Sequence, residues 1–161
     1  MASKLTTCLW FDTEGEEAAT FWCSVIPNSE VHGVTRYNAA GPREAGTVLT
    51  VEFELDGKPY VALNGGPDHH FTEAVSLQVS CADQAEVDHY WSVLSEGGRP
   101  GPCGWLRDRF GFSWQVVPVQ LPELLGDPDP GRAQRAMAAM MSMGKIDIQA
   151  LRDAADGGNA A

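Results

Sequence analysis

Four groups of side chains in this sequence are equipped for chemistry: one strand carboxylate, a pair of adjacent histidines, the cysteines, and tryptophans beside polar strand positions. The carboxylate is Glu52, inside the alternating run Val48 to Leu55. Alternation places it on the face opposite Val51, Phe53 and Leu55. A carboxylate flanked by apolar strands suits a general base when burial raises its proton affinity, so Glu52 is the candidate catalytic residue. His69-His70 follows Gly65-Gly66-Pro67-Asp68. Neighbours on an extended chain point to opposite sides, so this pair is a poor chelate; a pocket-rim or proton-transfer role, or a solvated connection, suits it better. Cys8, Cys23, Cys81 and Cys103 form no C-x-x-C pair and no zinc spacing. Sparse cysteines read as free thiols, with Cys23 and Cys81 as small core residues. Cys103 has no adjacent base that would activate it as a nucleophile.

Strand by strand, one face reads as apolar: Leu9 and Phe11; Val51, Phe53 and Leu55; Val75, Leu77 and Val79; Trp114 and Val116. The opposite face carries Thr6, Cys8 and Trp10, then Thr50, Glu52 and Glu54, then Tyr60, Ala62 and Asn64. It continues with Ser76, Gln78 and Ser80, and with Ser113 and Gln115. Such a face is too polar for a closed core, and its groups need hydrogen-bond partners. A polar ligand or water would supply them; the plain alternative is a solvated sheet. The candidate ligand-binding residues are Thr6, Cys8, Trp10, Glu52, Asn64, Ser76, Gln78, Trp105 and Gln115. Trp10 and Trp105 offer surfaces for a planar ligand, though core packing explains them equally well.

The elements that position these residues repeat. Glu17-Ala18-x-x-Phe21-Trp22 recurs as Glu86-Val87-x-x-Tyr90-Trp91. Each copy follows a short strand-like run, Leu5 to Phe11 and Ala74 to Ser80, and has apolar residues at helical spacing. Val48 to Leu55, the turn Asp56-Gly57 and Pro59 to Asn64 read as a hairpin. In the second half, Cys103 to Leu106 and Phe112 to Pro118 read as strands. The expected fold is α+β: paired βαβββ modules, about residues 4–67 and 73–120, forming a curved, cup-like mixed β-sheet with flanking helices. That cup would bring Glu52 and Gln115 to one cavity. Residues 1–125 make a single domain, and 126–161 a C-terminal helical extension. Leu121 to Leu125 reads as a short turn, Asp129-Pro130 opens a helix to about Met143, and Asp147 starts another. Gly157-Gly158-Asn159 should fray.

Composition narrows the partners. Of 161 residues, 43% are hydrophobic, enough for a core without staples. A net charge of −11 argues against nucleic acid and anionic membranes. The absence of an apolar leader or long apolar run points to a cytoplasmic protein.

Several strings resemble the PhnB-like branch of the vicinal-oxygen-chelate, or glyoxalase/bleomycin-resistance/dioxygenase, superfamily. They are Cys8-Leu9-Trp10-Phe11-Asp12, Glu17-Ala18-Ala19-x-Phe21-Trp22 and Pro27-Asn28-Ser29. Thr50 to Gly57 leads to Ala62-Leu63-Asn64-Gly65-Gly66-Pro67, then come Cys103 to Gln115 and Asp127-Pro128-Asp129-Pro130. The resemblance implies the paired βαβββ fold and commonly a homodimer. Metal-using relatives place four ligands at positions matching Thr6, Asn64, Ala74 and Gln115. Alanine has no donor, and the neutral amides and hydroxyl are weak ligands. The expectation is therefore a metal-free protein, without cofactor, binding a small polar or planar molecule, whether for sequestration or for metal-independent chemistry. The alternative is a metal-dependent enzyme of the glyoxalase or dioxygenase kind. Some relatives are labelled demethylubiquinone methyltransferases. No glycine-rich turn between strand and helix supports that activity here.

Overall fold

The computed structural model describes residues 4–158, and the chain divides into two units, Met1–Phe71 and Thr72–Ala161. The first contains strand β1 (Thr7–Phe11), helix α1 (Gly15–Val25) and strands β2 (Glu30–Arg36), β3 (Val48–Leu55) and β4 (Lys58–Asn64). The second repeats the order with β5 (Leu77–Cys81), α2 (Gln84–Ser95), β6 (Arg99–Pro100), β7 (Trp105–Arg107) and β8 (Ser113–Pro118). Helices α3 (Gln120–Leu125), α4 (Pro130–Met141) and α5 (Ile148–Ala155) follow. The expected βαβββ repeat is present twice, and the class is α+β.

Each unit holds a four-stranded mixed sheet, ordered β1-β4-β3-β2 in the first and β5-β8-β7-β6 in the second. In both, the first strand pairs parallel with the last, and the other pairings are antiparallel. A parallel partner needs a crossover, which the helix and the intervening strands provide.

In the first unit α1 buries Ala18, Ala19 and Trp22. Trp22 meets Phe11 and Phe53, with ring centroids 5.9 and 6.2 Å apart. The β3–β4 hairpin turns at Asp56-Gly57, with φ of 48° and 69°. Positive φ at both central residues is what a tight right-twisted hairpin requires, and Asp-Gly tolerates it.

That turn corrects part of the face assignment. It pairs Leu55 with Lys58, and so Phe53 with Tyr60 and Val51 with Ala62. Directly opposed residues share a face. Tyr60, Ala62 and Asn64 therefore lie with Phe53 on the side of α1, and all three are buried. Their expected place beside Glu52 belongs instead to Val61 and Leu63. Val75, expected on the helix-facing side, precedes β5 and is 61% exposed.

The second unit buries Val87 and Leu94 of α2, together with Leu106, Trp114 and Val116 of the sheet. Buried Asp108 organises the β7–β8 connection. Its carboxylate accepts from the backbone N–H groups of Phe110 and Phe112 and from Trp114 Nε1 at 2.8–3.0 Å.

The segment expected as a short turn, Leu121 to Leu125, is helix α3. Asp129 caps α4 by accepting from Gly131 N and Arg132 N, and Asp147 caps α5 by accepting from Ala150 N. These helices pack on their own unit. Val117 of β8 clusters with Leu121, Ile146 and Leu151, and Met140 and Met143 close around them. Gln84 of α2 donates to Ile146 O at 3.1 Å and accepts from Ile148 N at 2.9 Å. The extension is thus a brace on the second module. Of its methionines, Met137 and Met141 stay exposed. Of the expected frayed end, Asn159 lies outside the described residues.

Candidate functional site

In the second unit the register brings four predicted residues together. Gln115 of β8 pairs with Gln78 of β5 on one side and with Trp105 of β7 on the other. All three therefore share one face. Gln115 Nε2 also donates to Ser76 Oγ at 2.9 Å, which fixes the amide's orientation and leaves its carbonyl oxygen as an acceptor. Ser113, on the same face, is fully buried, and its hydroxyl has no hydrogen-bond partner among the described residues. Beside Trp105 a cleft of about 610 Å³ is walled by Glu73, Arg99, Pro100, Pro102 and Arg107. That volume lies within the range of small-molecule sites, roughly 300–1,000 Å³.

The cleft's loop is held firmly. Cys103 and Gly104 have φ of 56° and 82°, both left-handed. Their N–H groups donate to Met143 O and Gly144 O at 2.8 and 2.7 Å, so the tail anchors the loop. Gly101 N donates to Trp105 O at 2.8 Å.

In the first unit Cys8, Trp10 and Glu52 stand on the face away from α1. Cys8 aligns with Val61, and Val61 with Glu52, while Trp10 aligns with Leu63. Glu52 and Cys8 are exposed; Thr6 is exposed just before β1. Glu52 is therefore not withdrawn from water, as the expected general base would be. Trp10 has a structural role. Its Nε1 donates to Gly66 O at 2.8 Å, its ring lies over Gly65, and His69 meets it edge-on at 4.7 Å. A Cβ at Gly65 would fall 2.2 Å from the indole, so this close approach needs glycine. Both histidines are exposed.

Asn64 does not join this face. Its Oδ1 accepts from Gly15 N and its Nδ2 donates to Thr13 O, each at 2.9 Å. The side chain is consumed in capping α1, whose own N-cap residue Glu14 makes no side-chain cap. Its amide belongs to the helix rather than to a ligand.

The thiols are divided by burial. Burial, with nearby Glu86 and Asp83, pushes the Cys81 thiol up to about 11. Burial also raises Cys23, with Glu30 adding to it.

Sequence reasoning missed Arg99, Arg107 and Glu73. β6 has only two residues, too few to show a period. The available signal was the clustering of two arginines around Trp105 in a chain with only 11 basic residues.

The comparisons agree with the fold. The family described as 3-demethylubiquinone-9 3-methyltransferase matches residues 3–117. A PhnB protein from Bacillus cereus is 32% identical over 73% of this chain and 100% of its own, with a TM-score of 0.64. Protein PA1353 from Pseudomonas aeruginosa is 17% identical, with coverage of 73% and 98% and a TM-score of 0.59. The fosfomycin resistance protein FosX from Listeria monocytogenes is 15% identical, with coverage of 76% and 98% and a TM-score of 0.50. No curated protein matches the chain. This chain belongs to the PhnB-like family of the vicinal-oxygen-chelate superfamily.

The residues present do not suit the divalent metal used elsewhere in that superfamily. Of the positions matching its ligands, Ala74 has no donor, Asn64 is spent on α1, and Gln115 is a neutral amide bonded to Ser76. Among the described residues, no group of three or more His, Cys, Asp or Glu is placed to hold an ion.

Proposed function

We propose that this protein binds a small polar or planar molecule on the face of its second sheet that carries Gln115, and that it does so without a divalent metal. The observation that supports this reading is the alignment of Gln78, Gln115 and Trp105 on one face beside the 610 Å³ cleft. Gln115 and Gln78 provide amide donors and acceptors, and Trp105 an aromatic surface. The donor chemistry argues against the glyoxalase- or dioxygenase-type alternative, because a preformed divalent site needs charged oxygen or imidazole ligands.

The methyltransferase description is not supported by the residues. Gly65-Gly66 leads into turns and extended chain rather than a helix, so no helix N-terminus stands there for a nucleotide-like cofactor.

Glu52, exposed on the first sheet, is the carboxylate available for proton transfer in that unit. What supports it is that Glu52 is exposed and that Gly33, directly opposite, has no side chain to cover it. Undiminished turnover by Glu52→Gln would remove that role. The working particle is a homodimer in a cytoplasmic setting; among the described residues no helix is long and apolar enough to cross a membrane. Sedimentation showing one chain per particle at micromolar concentration would contradict the dimer.

A thermal-shift screen of small polar and planar compounds tests the binding reading. A ligand at 100 times its Kd should add roughly 2.7 kcal/mol to the wild-type protein and much less to Trp105→Ala and Gln115→Ala. A shift equally large in both variants would move the site elsewhere. One zinc, nickel or iron per chain surviving dialysis would overturn the metal-free reading.

A further inference from the structure

We propose that the cleft beside Trp105 is a site for a planar monoanion, an aromatic carboxylate, whose charge is received between Arg99 and Arg107. The proposal rests on the binding reading above and names the ligand class.

Arg99 of β6 and Arg107 of β7 are directly opposed in the antiparallel register, so their side chains leave the sheet on the same face. Both line the cleft. Like charges directly opposite one another destabilise a strand pair. The arrangement is also out of character for a chain of net charge −11. Glu73 answers only one of the two charges. An anion between the two guanidiniums turns the repulsion into attraction.

Glu73 sets the charge of the site. It forms an ion pair with Arg107, while Arg99 has no ion-pair partner among the described residues. One arginine is thus already balanced and a single positive charge is left. One carboxylate neutralises it, whereas a dianion would leave excess negative charge beside Glu73. Guanidinium also matches carboxylate geometry through two parallel hydrogen bonds. Trp105, Pro100 and Pro102 are the stiff apolar part of the remaining lining, which also includes Gly101, Cys103 and Leu106, and the indole offers a surface for a flat ring. The tail holds this loop through Cys103 N and Gly104 N, so the walls are preorganised.

The experiment uses the full chain and two probes, naphthalene-2-carboxylate and the neutral naphthalene-2-carboxamide, followed by calorimetry. The carboxylate should bind saturably with one site per chain and at least tenfold more tightly than the amide. Arg99→Gln should weaken the carboxylate tenfold or more and leave the amide unchanged. Glu73→Gln, which removes the internal competitor, should tighten the carboxylate several-fold. Arg99 is exposed, so its variant is expected to fold; circular dichroism and melting verify this. Equal affinity for the two probes, or a carboxylate affinity indifferent to Arg99→Gln, overturns the anion assignment while the binding reading stands. Binding of neither probe also overturns it, and the thermal-shift screen then decides the binding reading separately.

Discussion

Asn64 Oδ1 accepts the N–H of Gly15 at 2.9 Å, joining the end of β4 to the first turn of α1 across 49 residues of sequence. Gly15 is there because a Cβ would come within 2.6 Å of that same oxygen. Replacing Asn64 by alanine leaves a buried N–H without a partner, which costs roughly 1–3 kcal/mol. The denaturant midpoint should fall with an unchanged m-value. A midpoint equal to wild type would show that the cap is dispensable.

Asp108 accepts three hydrogen bonds while 3% exposed. Asp108→Ala removes the acceptor shared by Trp114 Nε1 and two backbone N–H groups, so the loss should reach about 3 kcal/mol. Trp114 should report it as a change of native tryptophan emission. A variant that melts like wild type would contradict the network.

The thiols should separate by rate. With Cys81 pushed up to about 11 by burial, the native protein at pH 8 should label at Cys8 first and at Cys81 only on unfolding. A raised folded value also means that the stability linked to this group is complete below the ordinary thiol value near 9. It declines as pH rises toward 11. A Cys81→Ala variant should show a smaller loss of melting temperature between pH 8 and 10.5 than wild type. Equal losses would mean that another group governs the alkaline limb.

At the acid end, hydrogen bonding from Arg132, with a further bond from Asp129 N, lowers Asp127. A lowered folded value gives stability above the ordinary carboxylate value near 3.8, lost as pH falls through the folded one. Arg132 also pairs with Asp156 beyond α5. Asp127→Asn should lower the melting temperature at pH 7 and have little effect at pH 3. An equal effect at both values would point to packing instead of charge.

Ile146 is fully buried in the cluster that joins the tail to Val117. Ile146→Ala should cost about 2–5 kcal/mol, depending on how far the cavity collapses. Proteolysis should then cut within 126–147 before the rest of the chain. Cutting in the first unit beforehand would argue against the tail being the element released.

Much of the fold was readable because its signals are local. The run Val48–Leu55, the Asp56-Gly57 turn and the caps at Asp129 and Asp147 each carry their evidence within a few residues. The failures came where distant pairing decides. Tyr60 and Asn64 are polar, so alternation alone seated them on the polar face; the register across a two-residue turn put them under α1. Alternation put Ser76, Gln78 and Gln115 on one face; that Trp105 joins them is decided by its pairing with Gln115. The opposition of Arg99 and Arg107 did not follow from alternation, because a strand of two residues has no pattern to read. β2 was also not located from the sequence; its pairing has bulges between Val31 and Gly33 and between Thr35 and Arg36, which break simple alternation.

The bonds from Cys103 N and Gly104 N to the carbonyls of Met143 and Gly144 have a consequence for how this family is surveyed. The family match ends at residue 117, yet the shape of the cleft depends on chain beyond it. Every residue type offers the same carbonyl. These two bonds can therefore survive side-chain substitution at 143–144, although the Met143 side chain also packs on the Val117 cluster. The dependence is written in backbone alone, so it is visible to deletion and to hydrogen exchange at Cys103 and Gly104, and hidden from alignment.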